Sequence, residues 1–243
     1  MPSDAETAVE RVVDAMHERL GEPFTIDDMA RVAMFSKYHF TRVFHQVTGL
    51  PPARYLSAVR IAEAKRLLLT TSLNVTDISL RVSYASLGTF GTRFRQSVGL
   101  SPLAFRESRG WRPLPEQPAE EDRSSAPCGG SVHGVVIPPP GAAGLLFVGL
   151  FPRPAFEGDP VRCCLTGAGR FDLDRVPPGR WHMFAYLTVP GRIFRTHPAP
   201  TSPCRAISGP VRVSPGRAAP PLRLGLRPHR RIDPPMLGAM YTA

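Results

Sequence analysis

Apolar positions change their spacing part-way along the chain. Up to about Arg112 they recur at helical intervals, and proline is confined to Pro2, Pro23, Pro51, Pro52 and Pro102. Pro51, Pro52 and Pro102 each follow closely on a Gly-Leu pair, the arrangement of a helix ended by a C-cap glycine and restarted by a first-turn proline. From Pro113 to Gly130 proline, glutamate, serine and glycine dominate without a period, which is the composition of a linker. Beyond it, short apolar runs alternate with Pro/Gly turns, the grammar of a small all-β domain. Strands are predicted at 131–137, 144–151, 161–165, 169–173, 180–188, 209–213 and 221–227. The expected architecture is multi-domain: an all-α bundle in residues 1–112, a linker at 113–130 and a small β-domain in residues 131–243.

An internal repeat organises the first half. At an offset of 50 residues Ser36, Phe40, Phe44, Gln46, Gly49, Leu50 and Pro52 recur as Ser86, Phe90, Phe94, Gln96, Gly99, Leu100 and Pro102. Upstream, Met29 and Ala33 match Ile78 and Val82 at an offset of 49, so the second copy has one extra residue in its turn. Self-similarity of this kind marks a repeated supersecondary unit. Each copy (25–50 and 76–100) reads as a short helix, a tight turn and a second helix, with Thr25 and Ser36 as N-caps in the first copy and Thr76 and Ser86 in the second.

In the first copy Phe40, Val43, Phe44 and Val47 form an i, i+3, i+4, i+7 stripe that must face a core. The opposite face, capped by Ser36, carries Lys37, Tyr38, Thr41, Arg42 and His45. These donors, a hydroxyl and an aromatic ring suit base edges and phosphates in a major groove. The second copy offers Ser86, Leu87, Gly88, Thr89, Gly91, Thr92, Arg93 and Arg95. Its two glycines cost roughly 1 kcal/mol each against alanine and remove side chains where base readout would be expected. The second helix therefore reads as a phosphate holder more than a base reader. Between the copies, Pro52 to Thr70 reads as one helix with Tyr55, Leu56, Val59, Ala62, Ala64, Leu67 and Leu68 on its apolar face. At about 1.5 Å per residue it spans close to 30 Å, near the ~34 Å between successive major-groove faces on one side of B-DNA.

Charge adds little to this picture. The formal net charge of +10 suits a polyanion, but the excess is spread over both halves, 15 basic against 11 acidic residues in 1–112 and 15 against 9 in the remainder. Only Lys37 and Lys65 of the 30 cations are lysines. No apolar run is long enough to span a bilayer, and the acidic N-terminus lacks a signal-peptide pattern, so a cytoplasmic location without membrane partners is expected.

The segments FTIDDMARVAMFSKYHFTRVFHQVTGLPPARYLSAVRIAEAKRLLL and VTDISLRVSYASLGTFGTRFRQSVGLSPLAFR resemble the DNA-binding domain of AraC-type transcriptional regulators, over about residues 8–109. The resemblance implies a seven-helix bundle, double-stranded promoter DNA as ligand, and base-facing residues at Lys37, Tyr38, Thr41 and Arg42, then Leu87, Gly88, Gly91 and Thr92. The reader stands first here, whereas that family usually places it last, and the arabinose-type sensor is absent.

The second half is similar to a transthyretin-like or carboxypeptidase-regulatory β-sandwich. Gly169, Phe171, Leu173, Val176, Pro177, Pro178, Gly179 and Trp181 match its strand-to-strand corner. Such a fold does not name a ligand; effector sensing, self-association and an RNA polymerase contact are the roles open to it. Cys163 and Cys164, with His182, His197 and Cys204, are candidates for a thiol or metal sensor. Adjacent strand residues point to opposite faces, which favours a packing role. All four cysteines, Cys128 included, read as reduced. Asp172 and Asp174 read as solvating a sheet edge, and Arg223, Arg227, Arg230 and Arg231 as a soluble strand end. No GxSxG, HExxH, P-loop or GxGxxG opening a helix is present, so no catalytic residue, metal or cofactor is assigned. The alternative to a sequence-specific DNA reader is a protein-interaction or architectural module, for which the bare Gly88 and Gly91 speak.

Overall fold

The computed structural model describes residues 4–114, 129–142, 144–167, 169–188 and 204–242. Cys128, His197 and most of the segment read as a linker lie outside them. The chain forms two units: one of residues up to Gly110 together with Arg230–Ala239, the other of Trp111 to His229 with the residues from Met240 on.

Seven helices build the first unit: α1 (Asp4–Glu18), α2 (Ile26–Ala33), α3 (Lys37–Thr48), α4 (Pro52–Thr70), α5 (Val75–Arg81), α6 (Leu87–Val98) and α7 (Pro102–Glu107). Local chemistry sets their ends. Thr25 caps α2 reciprocally: its Oγ1 accepts from Asp28 N at 3.2 Å, while Asp28 Oδ2 accepts from Thr25 N at 2.9 Å. Ser36 and Ser86 cap α3 and α6. Gly49 and Gly99 end those helices in the left-handed region, at φ 77° and 85°, where a side chain is disfavoured, and Pro52 and Pro102 restart the chain at the first turn. The second copy departs from expectation at its start. Asn74, not Thr76, caps α5, its Oδ1 accepting from Asp77 N at 2.8 Å; Thr76 already lies inside the first turn.

The two helix pairs, α2–α3 and α5–α6, share one turn mechanism. Met34 N donates to Arg31 O and Phe35 N to Ala30 O; 49 residues on, Ser83 N donates to Leu80 O and Tyr84 N to Ser79 O. Met34 and Ser83 both sit at positive φ, 58° and 61°. The extra residue of the second copy is Ala85, inserted after this shared motif. Phe40, Phe44, Phe90, Phe94 and Phe105 are fully buried in edge-to-face and tilted contacts, with centroids 5.3–5.7 Å apart along the chains Phe40–Phe44–Tyr55 and Phe90–Phe94–Phe105. α4 is buried over most of its circumference, Ala58, Ile61 and Lys65 included, and not along a single apolar face.

The second unit is strand-rich: β1 (Trp111–Pro113), β2 (Gly130–Ile137), β3 (Leu145–Phe151), β4 (Arg162–Thr166), β5 (Arg170–Val176), β6 (Gly179–Thr188), β7 (Cys204–Val213), β8 (Leu222–Gly225), β9 (Arg227–Pro228) and β10 (Met240–Thr242). They form a two-stranded β1–β10 pair, a three-stranded sheet β5-β2-β8 and a five-stranded sheet β4-β3-β6-β7-β9. Each expected strand is present within a few residues. β7 starts earlier than expected, and β1, β9 and β10 are too short to show a period. The two larger sheets share one core, with Val132, Val136, Phe171 and Leu173 from one and Leu146, Val148, Met183 and Val211 from the other.

The Pro177–Pro178 corner carries the chain from β5 in one sheet to β6 in the other. Trp181 Nε1 closes it by donating to Pro177 O at 2.8 Å. At the other end of β5, Gly169 is obligatory: φ is +74°, and a Cβ would lie 2.7 Å from Val136 O of β2.

Candidate nucleic-acid interface

The outer faces of α3 and α6 coincide residue for residue. Lys37, Tyr38, Thr41, Arg42 and His45 are all exposed on α3. The positions 50 residues on, Leu87, Gly88, Thr92 and Arg95, are exposed on α6, with Gly91 half-buried. Tyr38 is 81% exposed, and Met34, in the turn before α3, is 74% exposed. Met34 escaped the sequence reading because it occupies the turn, where no periodicity marks it.

Several side chains on α3 are pre-positioned by neighbours. Lys37 Nζ pairs with Asp27 of α2 at 3.0 Å, both well exposed; such a pair contributes little in water and exchanges readily for a phosphate. Thr41 Oγ1 donates to Lys37 O at 2.8 Å, which leaves the hydroxyl oxygen able to accept. Ser36 Oγ is engaged by His39 N at 3.4 Å, and His39 stacks edge-on against Phe35 at 4.7 Å, which marks it as a packing residue. On α6, Ser86 Oγ accepts from Thr89 N at 3.1 Å and donates to Thr89 Oγ1 at 2.9 Å, so both hydroxyls serve the cap.

Arg93 departs from the expectation. It is half-buried, and its Nε donates to Ser57 Oγ of α4 at 3.0 Å. The repeat contained the signal, since Arg93 is the counterpart of Val43, a core residue of the first copy. The outer face of α6 therefore keeps one cation, Arg95. A Cβ built on Gly88 or Gly91 would meet nothing within 4 Å, so neither glycine answers to packing inside the protein.

Outside the helical unit, the candidates for other chemistry are quiet. Cys163 faces Gly149 and Cys164 faces Val148 across β3–β4. Burial pushes the Cys163 thiol up to about 12 and the Cys164 thiol up to about 11, far from the thiolate a sensor or metal ligand needs. Asp172 and Asp174 are exposed on β5, an edge strand. Arg230 and Arg231 are not a soluble strand end: they pair with Glu6 and Asp14 of α1, at 2.7 and 2.6 Å. Among the described residues no group of three or more His, Cys, Asp or Glu side chains is placed to hold a metal ion, and no helix is long and apolar enough to cross a membrane.

Residues 29–108 match the helix-turn-helix domain family. The transcriptional activator AarP of Providencia stuartii is 38% identical over 84 residues, 35% of this chain and 62% of that protein. Residues 29–108 are a helix-turn-helix domain. The chain spans less than two thirds of the length of that activator. Two solved structures are also similar. The DNA-binding domain of AdpA, crystallised with a target DNA, is 32% identical, covering 41% of this chain and 90% of that one with a TM-score of 0.40. An AraC-type regulator of Chromobacterium violaceum is 26% identical, covering 47% and 96% with a TM-score of 0.42.

Proposed function

We propose that this protein is a sequence-specific transcriptional regulator that binds double-stranded promoter DNA through two tandem helix-turn-helix units. The carrying observation is the repeated face: two helix pairs with the same turn hydrogen bonds present the same outer positions, 50 residues apart. The 19-residue α4 that joins them is about 30 Å long, which suits two successive major-groove faces of one duplex. In this reading α3 reads base edges through Lys37, Tyr38, Thr41, Arg42 and His45. α6, with its two bare glycines, seats on the backbone through Arg95, Thr92 and the first-turn amides behind Ser86 and Thr89. Arg93, held against Ser57, supports α6 from behind.

The strand-rich unit takes the sensing or association role, as a transthyretin-like sandwich whose two sheets are joined at the Pro177–Pro178 corner. A reader of DNA needs no second folded unit, and the shared core of the two sheets supports an independently packed body.

Selection of bound fragments from random DNA by the full chain at about 150 mM salt tests the proposal. The expected result is one enriched motif with two half-sites about one helical turn apart. Arg42→Ala should weaken binding to it by about 1–3 kcal/mol and relax preference at one base pair. A wild-type chain that enriches nothing, or a variant that selects an unchanged motif with unchanged affinity, defeats the reading.

A further inference from the structure

The C-terminal segment 230–239 belongs to the helical unit, and no sequence pattern marks it. It makes one directed contact after another along that unit. Arg230 and Arg231 pair with Glu6 and Asp14 of α1. Tyr55 of α4 donates its hydroxyl to Asp233 O at 3.1 Å. Lys65, ten residues further along α4, donates to Met236 O at 3.2 Å, Leu237 O at 2.7 Å and Gly238 O at 3.2 Å. Ala239 N then donates to Val98 O, in the last turn of α6, at 2.9 Å. Lys65 is 2% exposed and its ammonium stands 5.5 Å from the Phe105 ring of α7.

We propose that residues 230–239 are a strap that fixes the two recognition helices relative to one another, with Lys65 as its positioning residue. This rests on the DNA-reading function of α3 and α6. α1 packs on α2 and α3, whereas Val98 and Phe105 belong to the second pair's side, so the strap adds a link between the pairs to the one that α4 provides. An ammonium has three N–H donors and no acceptor, and here three carbonyls converge on it in a site closed to water. Losing the donor strands three buried carbonyls together. A contact of that stringency holds one register of an extended segment. At both ends, His229 and Met240, the strap continues directly into the strand-rich unit, so the chain that senses or associates is also the chain that braces the reader.

The test uses the full chain with Lys65→Met and, separately, Tyr55→Phe, which keeps the buried ring and removes only the hydroxyl. Spin labels on unnatural amino acids at positions 45 and 95 report the α3–α6 distance without DNA. Lys65→Met should broaden that distance distribution at unchanged helical content, with Tyr55→Phe doing so to a smaller extent. Binding is then compared on duplexes with both selected half-sites and with one. Lys65→Met should lose at least fivefold more affinity on the bipartite duplex than on the single half-site. A folded variant with the wild-type distance distribution, or an equal loss on both duplexes, overturns the strap. If Lys65→Met does not fold, Tyr55→Phe and Arg231→Ala decide by the same readouts. A wild-type chain that selects no DNA defeats the functional reading alone, since the distance measurement still judges the strap.

Discussion

Replacing Gly91 by alanine should make the protein more stable without changing what it binds. Gly91 lies inside α6, at a helical φ, and an added Cβ finds open space. The gain is then the ordinary helix-interior difference, about 1 kcal/mol, part of it from fewer conformations in the unfolded chain. Gly88 lies in the first turn, where propensity matters less, so Gly88→Ala should yield a few tenths. For a unit of this size about 1 kcal/mol raises the melting midpoint by roughly 4–8 °C. Urea unfolding followed by circular dichroism checks the same gain as a higher midpoint at constant slope. On the phosphate-seating reading of α6, the selected DNA motif stays the same and affinity changes less than about threefold, well under the 1.4 kcal/mol that a tenfold change represents. A loss of stability would refute the open-space argument. A tenfold loss of affinity in a stabilised protein would show that the α6 backbone itself approaches the base edges, and the phosphate-seating reading would fall.

Other consequences are equally direct. Asn74→Ala removes the α5 cap and should cost about 1 kcal/mol, whereas Thr76→Ala should cost a few tenths; equal losses in urea unfolding would reverse that assignment. Burial pushes the Lys65 ammonium down to about 7 from the ordinary 10.5. The unfolded chain therefore binds more protons than the folded one between those values, and stability should rise with pH across that window. Lys65→Met should abolish that part of the slope, as read from denaturation midpoints at pH 7 to 10, and an identical slope in both proteins would contradict the buried-charge account. With their thiols held up to about 12 and 11, Cys163 and Cys164 should resist iodoacetamide at pH 8 until the protein is denatured. Peptide mass spectrometry reads this out, and rapid native labelling of either would refute it.

The parts of this protein legible in its sequence are those set by neighbours along the chain. The repeat, the capping serines, the C-cap glycines with their prolines and the strand positions each depend on residues within a turn or a strand. Side-chain period and backbone conformational limits write such features into order alone. The repeat also pairs Arg93 with Val43, a core position, and so excludes Arg93 from the outer face. Asn74 and Thr76 are both capping residues two positions apart, and only packing of α5 chooses between them. The strap is a different case. Its acceptors are main-chain carbonyls, which every residue carries, so Met236, Leu237 and Gly238 bear no mark of their role. Its donor, Lys65, stands beside Arg66 and Glu63, and nothing along the chain marks it as the one of the three to be buried. Order along the chain determined two helix pairs with matching faces. Tertiary structure alone decided that a segment more than 120 residues beyond them would return to brace them, because backbone hydrogen bonding at long range depends on position in space and not on residue type.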